Sequence, residues 1–130
     1  MTDKDITISE RMTPTPHLIG AEQSLKTAHE LMRSHEIRHL PVLHGGKLIG
    51  VLSERDLHLV ETLRDVDPEI VRVEEAMSQD VYAVPPKTPL KQVVREMATR
   101  KLGSAVVVEG TQVVGVFTTV DALDVLADKL

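Results

Sequence analysis

The stretch Lys47-Leu48-Ile49-Gly50-Val51-Leu52-Ser53-Glu54-Arg55-Asp56 returns without a gap as Gln112-Val113-Val114-Gly115-Val116-Phe117-Thr118-Thr119-Val120-Asp121. A chain that writes one unit twice has to fold as two similar structures. The same displacement, 65 positions from Gly50 to Gly115, places Met12 on Met77, Glu10 on Glu75, Leu25-Lys26 on Leu90-Lys91, Met32 on Met97, Val42 on Val107 and Gly45 on Gly110. The lead-in, residues 6–12, lies over residues 71–77. The duplication therefore predicts one repeat over 6–60, a connection over 61–70 with Asp67-Pro68 as a breaker, and a second repeat over 71–130.

Each repeat reads as strand, helix, two strands, helix. Residues 16–20 and 81–84 are short extended pieces, and Pro85-Pro86 excludes helix after the second. Ser24 opens the run Leu25, Ala28, Leu31, Met32, and Leu90, Val93, Val94, Met97 repeat the spacing, so each helix has one apolar stripe to bury. Strands over 38–43 and 47–52 flank Gly45-Gly46, and strands over 104–108 and 112–117 flank Glu109-Gly110, which are hairpin signals. Leu57, Leu59, Val60 and Leu63, with Ala122, Leu123, Val125 and Leu126, supply the closing helices. One repeat alone has a marginal core, so the two are expected to pack sheet to sheet. Met12, Met32, Met77 and Met97 recur with the repeat and are read as core.

Composition narrows the function classes. The 130 residues are 42% hydrophobic, enough for a core, yet include one Phe, one Tyr and no Trp, so no aromatic platform exists for stacking single-stranded nucleic acid. Fifteen Lys and Arg against 20 Asp and Glu give a net charge of −5, with the cations scattered and no basic stripe to grip a phosphate backbone. Nucleic acid is excluded on both grounds. The absence of cysteine removes disulfides, thiolate nucleophiles and Cys-zinc sites. Met1-Thr2-Asp3-Lys4-Asp5 is polar and acidic, and no apolar run approaches the roughly 18 residues that span a bilayer. The expectation is a soluble, cytoplasmic protein that does not engage membranes.

The ordered recurrence of Met12-Thr13 and Met77-Ser78, of residues 38–42 (Arg38-His39-Leu40-Pro41-Val42), and of 50–56 with its copy 115–121 resembles a tandem pair of cystathionine-β-synthase (CBS) domains, the arrangement called a Bateman module. The resemblance covers essentially the whole chain. It implies a mixed fold, α/β or more loosely α+β, of two β-α-β-β-α repeats packed sheet to sheet about a pseudo-two-fold axis. It also implies a regulatory module, not an enzyme, that senses adenosine-containing ligands (AMP, ADP, ATP, NAD or S-adenosylmethionine) in clefts between the repeats. No cofactor is required; the adenine nucleotide is the ligand.

The resemblance assigns ribose binding to Asp56 and Asp121, with Ser53 and Thr118 and nearby backbone N–H groups facing the sugar or phosphates. An ionised carboxylate only accepts hydrogen bonds and so can take both hydroxyl protons of a ribose. Base pockets would come from Ser78, Asp80, Val81 and Tyr82 for the Asp56 cleft, and from Thr13, Thr15 and His17 for the Asp121 cleft. Arg38, His39 and Arg55 would bind phosphate; their counterparts Gly103, Ser104 and Val120 would not, although Arg100 and Lys101 lie just upstream. Unequal sites are expected. From local sequence alone, Ser53-x-x-Asp56 and Thr118-x-x-Asp121 read equally well as helix capping boxes, and both roles are compatible.

His35-Glu36-Ile37-Arg38-His39 matches the zinc-protease pattern His-Glu-x-x-His, which needs both histidines on one face of a continuous helix. Pro41 disfavours helix at Leu40 and the helix is expected to end near His35, so no metal site is assigned. His44 and His58 read as solvated. Two classes remain: a nucleotide sensor, and a dimerisation or interaction module with empty clefts, for which the plain Gly103-Ser104-Ala105 segment speaks. A homodimer is expected because faces such as Leu57-Leu59-Val60 have limited cover. The regulated effector is expected either to be a separate protein reached in trans or to be a partner from which the module has been separated.

Overall fold

Strands and helices alternate in a computed structural model that describes residues 6–63 and 65–130; the stretch Met1-Thr2-Asp3-Lys4-Asp5 and Arg64 of the connection lie outside the described residues. In chain order the elements are a 3-10 turn (Ile8–Glu10), β1 (Thr13–Pro14), β2 (Ile19–Gly20), α1 (Leu25–His35), β3 (His39–His44), β4 (Lys47–Ser53), α2 (Glu54–Glu61), α3 (Val73–Ala76), β5 (Ala83–Val84), α4 (Leu90–Arg100), β6 (Ser104–Glu109), β7 (Gln112–Thr118) and α5 (Thr119–Lys129). The fold is mixed α+β, with two sheets and five α-helices among the described residues.

The chain divides into two compact units, each described by itself. The first is His17–Val81; the second joins the residues up to Pro16 with Tyr82–Leu130. In the first unit β2 runs parallel to β3, and β3 pairs antiparallel with β4 around Gly45-Gly46, whose φ values of 57° and 80° suit the tight turn. The second unit orders its sheet β1-β7-β6-β5, with Gly110 at φ 63° in the hairpin. Both hairpins carry the same bulge: Val42 faces Gly50 while Leu43 faces Leu48, and Val107 faces Gly115 while Val108 faces Val113. The extra residue in each, Ile49 or Val114, bends the strand next to its glycine.

The helices bury the stripes their spacing requires. Ser24 caps α1 by accepting from the Thr27 N–H at 3.2 Å, and Leu25, Ala28 and Met32 pack on Leu40, Val42 and Leu52. In the second unit Leu90, Val93 and Met97 pack on Ala105, Val107 and Phe117, although Pro89 gives α4 no side-chain cap. Each large aliphatic side chain so buried contributes roughly 1.5–3 kcal/mol. Both first helices stop at the same place, with Glu36 and Lys101 in the left-handed conformation at φ 52° and 56°.

The lead-ins change partners. Ile8, from the start of the chain, is fully buried in the second unit's core, and Val73, 65 positions on, is fully buried in the first unit's core. Thr13 pairs with Val116 of β7, and Ser78 pairs with Val51 of β4 through two backbone hydrogen bonds of 2.9 and 3.0 Å. Each compact unit thus combines the body of one repeat with the lead-in of the other. The two short helical turns at 8–10 and 73–76 belong to these lead-ins and are additional to the strand and helix order read from sequence.

One expectation is corrected. Leu57 is fully buried against the α1 core and offers no surface; the exposed apolar residues on that stretch are Leu59 and Leu63. Met32 and Met97 are core as expected, while Met12 and Met77 are half-buried at the core margins.

Candidate functional site

In the first unit, β4 runs out at Ser53 and the chain turns directly into α2. The Ser53 Oγ accepts from the Asp56 N–H at 3.0 Å, and Asp56 Oδ2 accepts from the Ser53 N–H at 3.0 Å. The capping-box reading is therefore realised. It occupies one carboxylate oxygen of Asp56 and leaves Oδ1 without a hydrogen-bond partner among the described residues. A half-buried carboxylate beside the positive end of α2, with one oxygen already oriented, suits a hydroxyl donor such as a sugar.

The basic residues gather at the same sheet end. The Arg38 carbonyl accepts from the Glu54 N–H at 2.8 Å, which ties the start of β3 to the start of α2. His39 faces Ser53 across the β3–β4 ladder, and Arg55 is exposed on the first turn of α2. Arg38, His39, Ser53, Arg55 and Asp56 are thus brought to one edge by a strand start, a strand end and a helix start. Ser78 joins that edge through its pairing with Val51, two residues before Ser53. Asp80 follows, its N–H donating to the Ser78 Oγ at 3.3 Å, and Val81 closes the unit. Tyr82 falls in the other unit, where its carbonyl accepts from the Val106 N–H at 2.9 Å and the Arg100 guanidinium lies 5.4 Å from its ring centre. Burial and the charge of Glu96 push the Tyr82 phenol above its usual 10.0, against the opposing effect of Arg100.

The second unit repeats the frame without the cations. Thr118 and Asp121 form the same reciprocal pair, with the Thr118 N–H donating to Asp121 Oδ2 at 2.8 Å, and the Gly103 carbonyl accepts from the Thr119 N–H at 3.1 Å. Thr118 additionally donates its hydroxyl to Asp121 Oδ2 at 3.2 Å. At the positions of Arg38, His39 and Arg55 stand Gly103, Ser104 and Val120, so nothing there offers a charge-assisted grip on phosphate. Thr13 is brought beside Val116, and the Thr15 N–H donates to the Val114 carbonyl at 3.1 Å. Thr15 holds φ at 50°, an unfavourable value for a β-branched residue and one that sequence gave no means of seeing. His17 belongs to the first unit and stacks on His35, ring centres 3.6 Å apart.

The zinc-protease geometry is not assembled. His35 is the last residue of α1, Glu36 leaves the helix in the left-handed conformation, and His39 opens β3, so the two histidines share no helix face. No cluster of three metal-ligating side chains occurs among the described residues, and none of their helices is long and apolar enough to cross a membrane.

Similarity to known proteins follows the same duplication. The family model for the CBS domain matches residues 4–60 and again 73–128. An inosine-5'-monophosphate dehydrogenase of Korarchaeum cryptofilum is 31% identical over 104 residues; the match takes in 79% of this chain and only about a fifth (21%) of that enzyme's length. Among solved structures, a putative acetoin utilization protein (AcuB) from Vibrio cholerae superimposes with a TM-score of 0.84 at 30% identity, over 97% of this chain and 93% of that one. The CBS domain pair of protein MJ0100, solved in complex with 5-methylthioadenosine and S-adenosyl-L-methionine, superimposes with a TM-score of 0.85 at 22% identity, over 98% of this chain and all of that one. Matched twice by one family model at the positions of its own duplication, the chain belongs to the CBS domain family as a tandem pair.

Proposed function

We propose that this chain is a regulatory module that binds an adenosine-containing nucleotide and carries no catalytic activity of its own. One observation supports the reading above the others: Asp56 is held by the Ser53 N–H through one oxygen only, at a sheet end that also collects Arg38, His39 and Arg55. The free oxygen suits a ribose hydroxyl and the cations suit phosphate. The MJ0100 pair was solved with two adenosine compounds, which favours the same ligand class here. Base contacts are assigned to Ser78, Asp80, Val81 and Tyr82 for the ligand of Asp56, and to Thr13 and Thr15 for a ligand of Asp121. The Asp56 site is the tighter one, because Asp121 lacks basic neighbours.

Titration calorimetry with adenosine, AMP and ATP tests this. Affinity should rise with phosphate charge, fall about tenfold or more in Asp56→Ala, and fall less in Asp121→Ala. Arg38→Ala should weaken AMP more than adenosine, since adenosine offers the guanidinium no phosphate. Binding lost in Asp121→Ala but kept in Asp56→Ala would reverse the assignment, and no binding of any adenosine compound at millimolar concentration would favour an interaction module with empty clefts.

The module is further proposed to form a homodimer, because Leu59, Leu63, Leu123 and Leu126 are all more than half exposed on helices or their ends. Light scattering that gives a monomeric mass with and without nucleotide would sink that part. The effector it regulates is proposed to be a separate protein.

A further inference from the structure

The duplication lets each unit serve as a reference for the other. By the 65-position displacement α1 matches α4, and α2 matches the first part of α5, yet one set of facing side chains differs in kind. In the second unit Val94, Leu123 and Leu126 are apolar and partly exposed. The same three positions in the first unit are His29, His58 and Glu61. Three aliphatic side chains are thus exchanged for two imidazoles and a carboxylate, all of them groups that give a lone pair to a metal ion.

The fold of the first unit brings these three together. Glu61, the last residue of α2, meets the His29 imidazole of α1. His58 lies one turn before Glu61 on the same side of α2, with its ring centre 6.3 Å from that of His29 and the two planes 36° apart. At that separation the three donors stop just short of a common point. An ion with metal–nitrogen bonds of about 2.0–2.1 Å holds two imidazoles with their centres about 5–6 Å apart. His58 is exposed, so a turn of its side chain closes the gap. The surroundings favour a cation. Among the described residues, the groove that His29 and Glu61 line beside α1, of about 540 Å³, also carries Glu30, Asp67 and Glu69 against Lys26 and Arg33. Lys26 is compensated by Glu69 at 3.1 Å, which leaves Glu61 to His29.

We propose that His29, His58 and Glu61 bind one divalent transition-metal ion of the zinc class. Each helix supplies an imidazole nitrogen, α2 adds the carboxylate, and water completes the coordination. Two imidazoles with a single carboxylate select zinc, cobalt, nickel or copper over magnesium and calcium, which take sets made of oxygen. The ion clamps the end of α2 to α1, at the place where the second unit has only aliphatic side chains.

Titration of the full, untagged chain with zinc chloride against a chromophoric chelator tests the proposal, and the visible spectrum of bound cobalt(II) reports the ligand set. One ion per chain should bind. Affinity should fall roughly tenfold or more in His58→Ala and in Glu61→Gln, and should stay unchanged in His44→Ala, which removes a surface histidine that also faces a carboxylate, Glu22. Excess magnesium chloride should not compete. Binding should weaken as the pH falls, because imidazole ligates only in its neutral form. Melting curves without metal establish that the variants are folded, and zinc should raise the melting temperature of the wild type and leave that of His58→Ala unmoved. No zinc bound at micromolar protein, undiminished binding in His58→Ala, or binding lost in His44→Ala would overturn the idea. So would half an ion per chain with a zinc-dependent doubling of mass, which gives the ion to a junction between two copies.

Discussion

The sulfur of Met77 lies 2.5 Å from where a Cβ on Gly50 would be, and the Ser78 carbonyl oxygen lies 2.8 Å from the same point. In the other unit the three atoms nearest the corresponding point on Gly115 all belong to Met12, with its Cγ at 2.9 Å and its Cε at 3.1 Å. Each lead-in therefore seats a methionine in the notch that a missing side chain opens. Gly115→Ala should cost about 1–3 kcal/mol, and Met12→Ala in the same chain should recover part of that loss. Gly50→Ala should not be rescued by Met77→Ala, because the backbone carbonyl remains in the way. Urea denaturation of the two double-mutant cycles checks the contrast, and equal rescue in both would refute it.

The capping boxes carry their own stability, apart from any ligand. Asp56→Ala and Asp121→Ala should each destabilise the free protein by about 1 kcal/mol, since the N–H of Ser53 or Thr118 loses its acceptor. Asp56→Asn keeps an acceptor oxygen and should keep most of that stability while losing the charge that favours ribose. Thermal melts without nucleotide, set beside calorimetry with it, separate the two roles; an Asn variant as unstable as the Ala variant would contradict the division.

Glu36 and Lys101 end α1 and α4 at positive φ, and Thr15 does so beside β1. Replacing Glu36 or Lys101 by glycine should raise stability by up to about 1 kcal/mol, because glycine meets no Cβ penalty there. Thr15→Gly should gain more, being β-branched. Denaturant midpoints measure this, and a loss on all three substitutions would show that their side chains hold contacts outweighing the backbone term.

Tyr82 is the only tyrosine in the chain, so phenolate absorbance titrates it without ambiguity. It should ionise above 10.0, because burial first and the charge of Glu96 second disfavour the phenolate. Arg100→Ala should push the midpoint further up, and Glu96→Gln should bring it down. A folded-state value above the unfolded one means a contribution to stability that is complete below pH 10.0 and fades as the pH climbs through the folded midpoint. A midpoint below the ordinary value would reverse the argument.

The hairpins and the apolar stripes of α1 and α4 were legible because periodicity reports them locally: Gly45-Gly46 marks the turn, and Leu25, Ala28 and Met32 mark the buried face. The end of α1 at His35 followed from Pro41. Arg38, Ser53 and Asp56 were named as site residues through the family resemblance and not from their spacing in the chain. What stayed hidden depends on distant partners. Thr13 beside Val116 and Ser78 beside Val51 are pairings of one or two residues, too short to leave an alternation. Leu57 resembled a surface leucine because the helix carrying it has exposed Leu59 two positions on. Tyr82 sits one residue past the boundary between units, and composition carries no mark of that boundary.

The exchange of lead-ins also orders events during synthesis. The first unit is contiguous, His17–Val81, and all of it has left the ribosome while the later strands are still being made. Ile8 and Met12, made before that unit, have their places beside Leu90 and Gly115, so they must wait for elements made after the first unit is complete. The loop they close spans the whole first unit, and a loop of that length is slow to form. Cutting the gene between the repeats would give a front half whose opening segment has no seat and a back half whose core has a vacancy where Ile8 belongs, and mixing the two fragments should restore both.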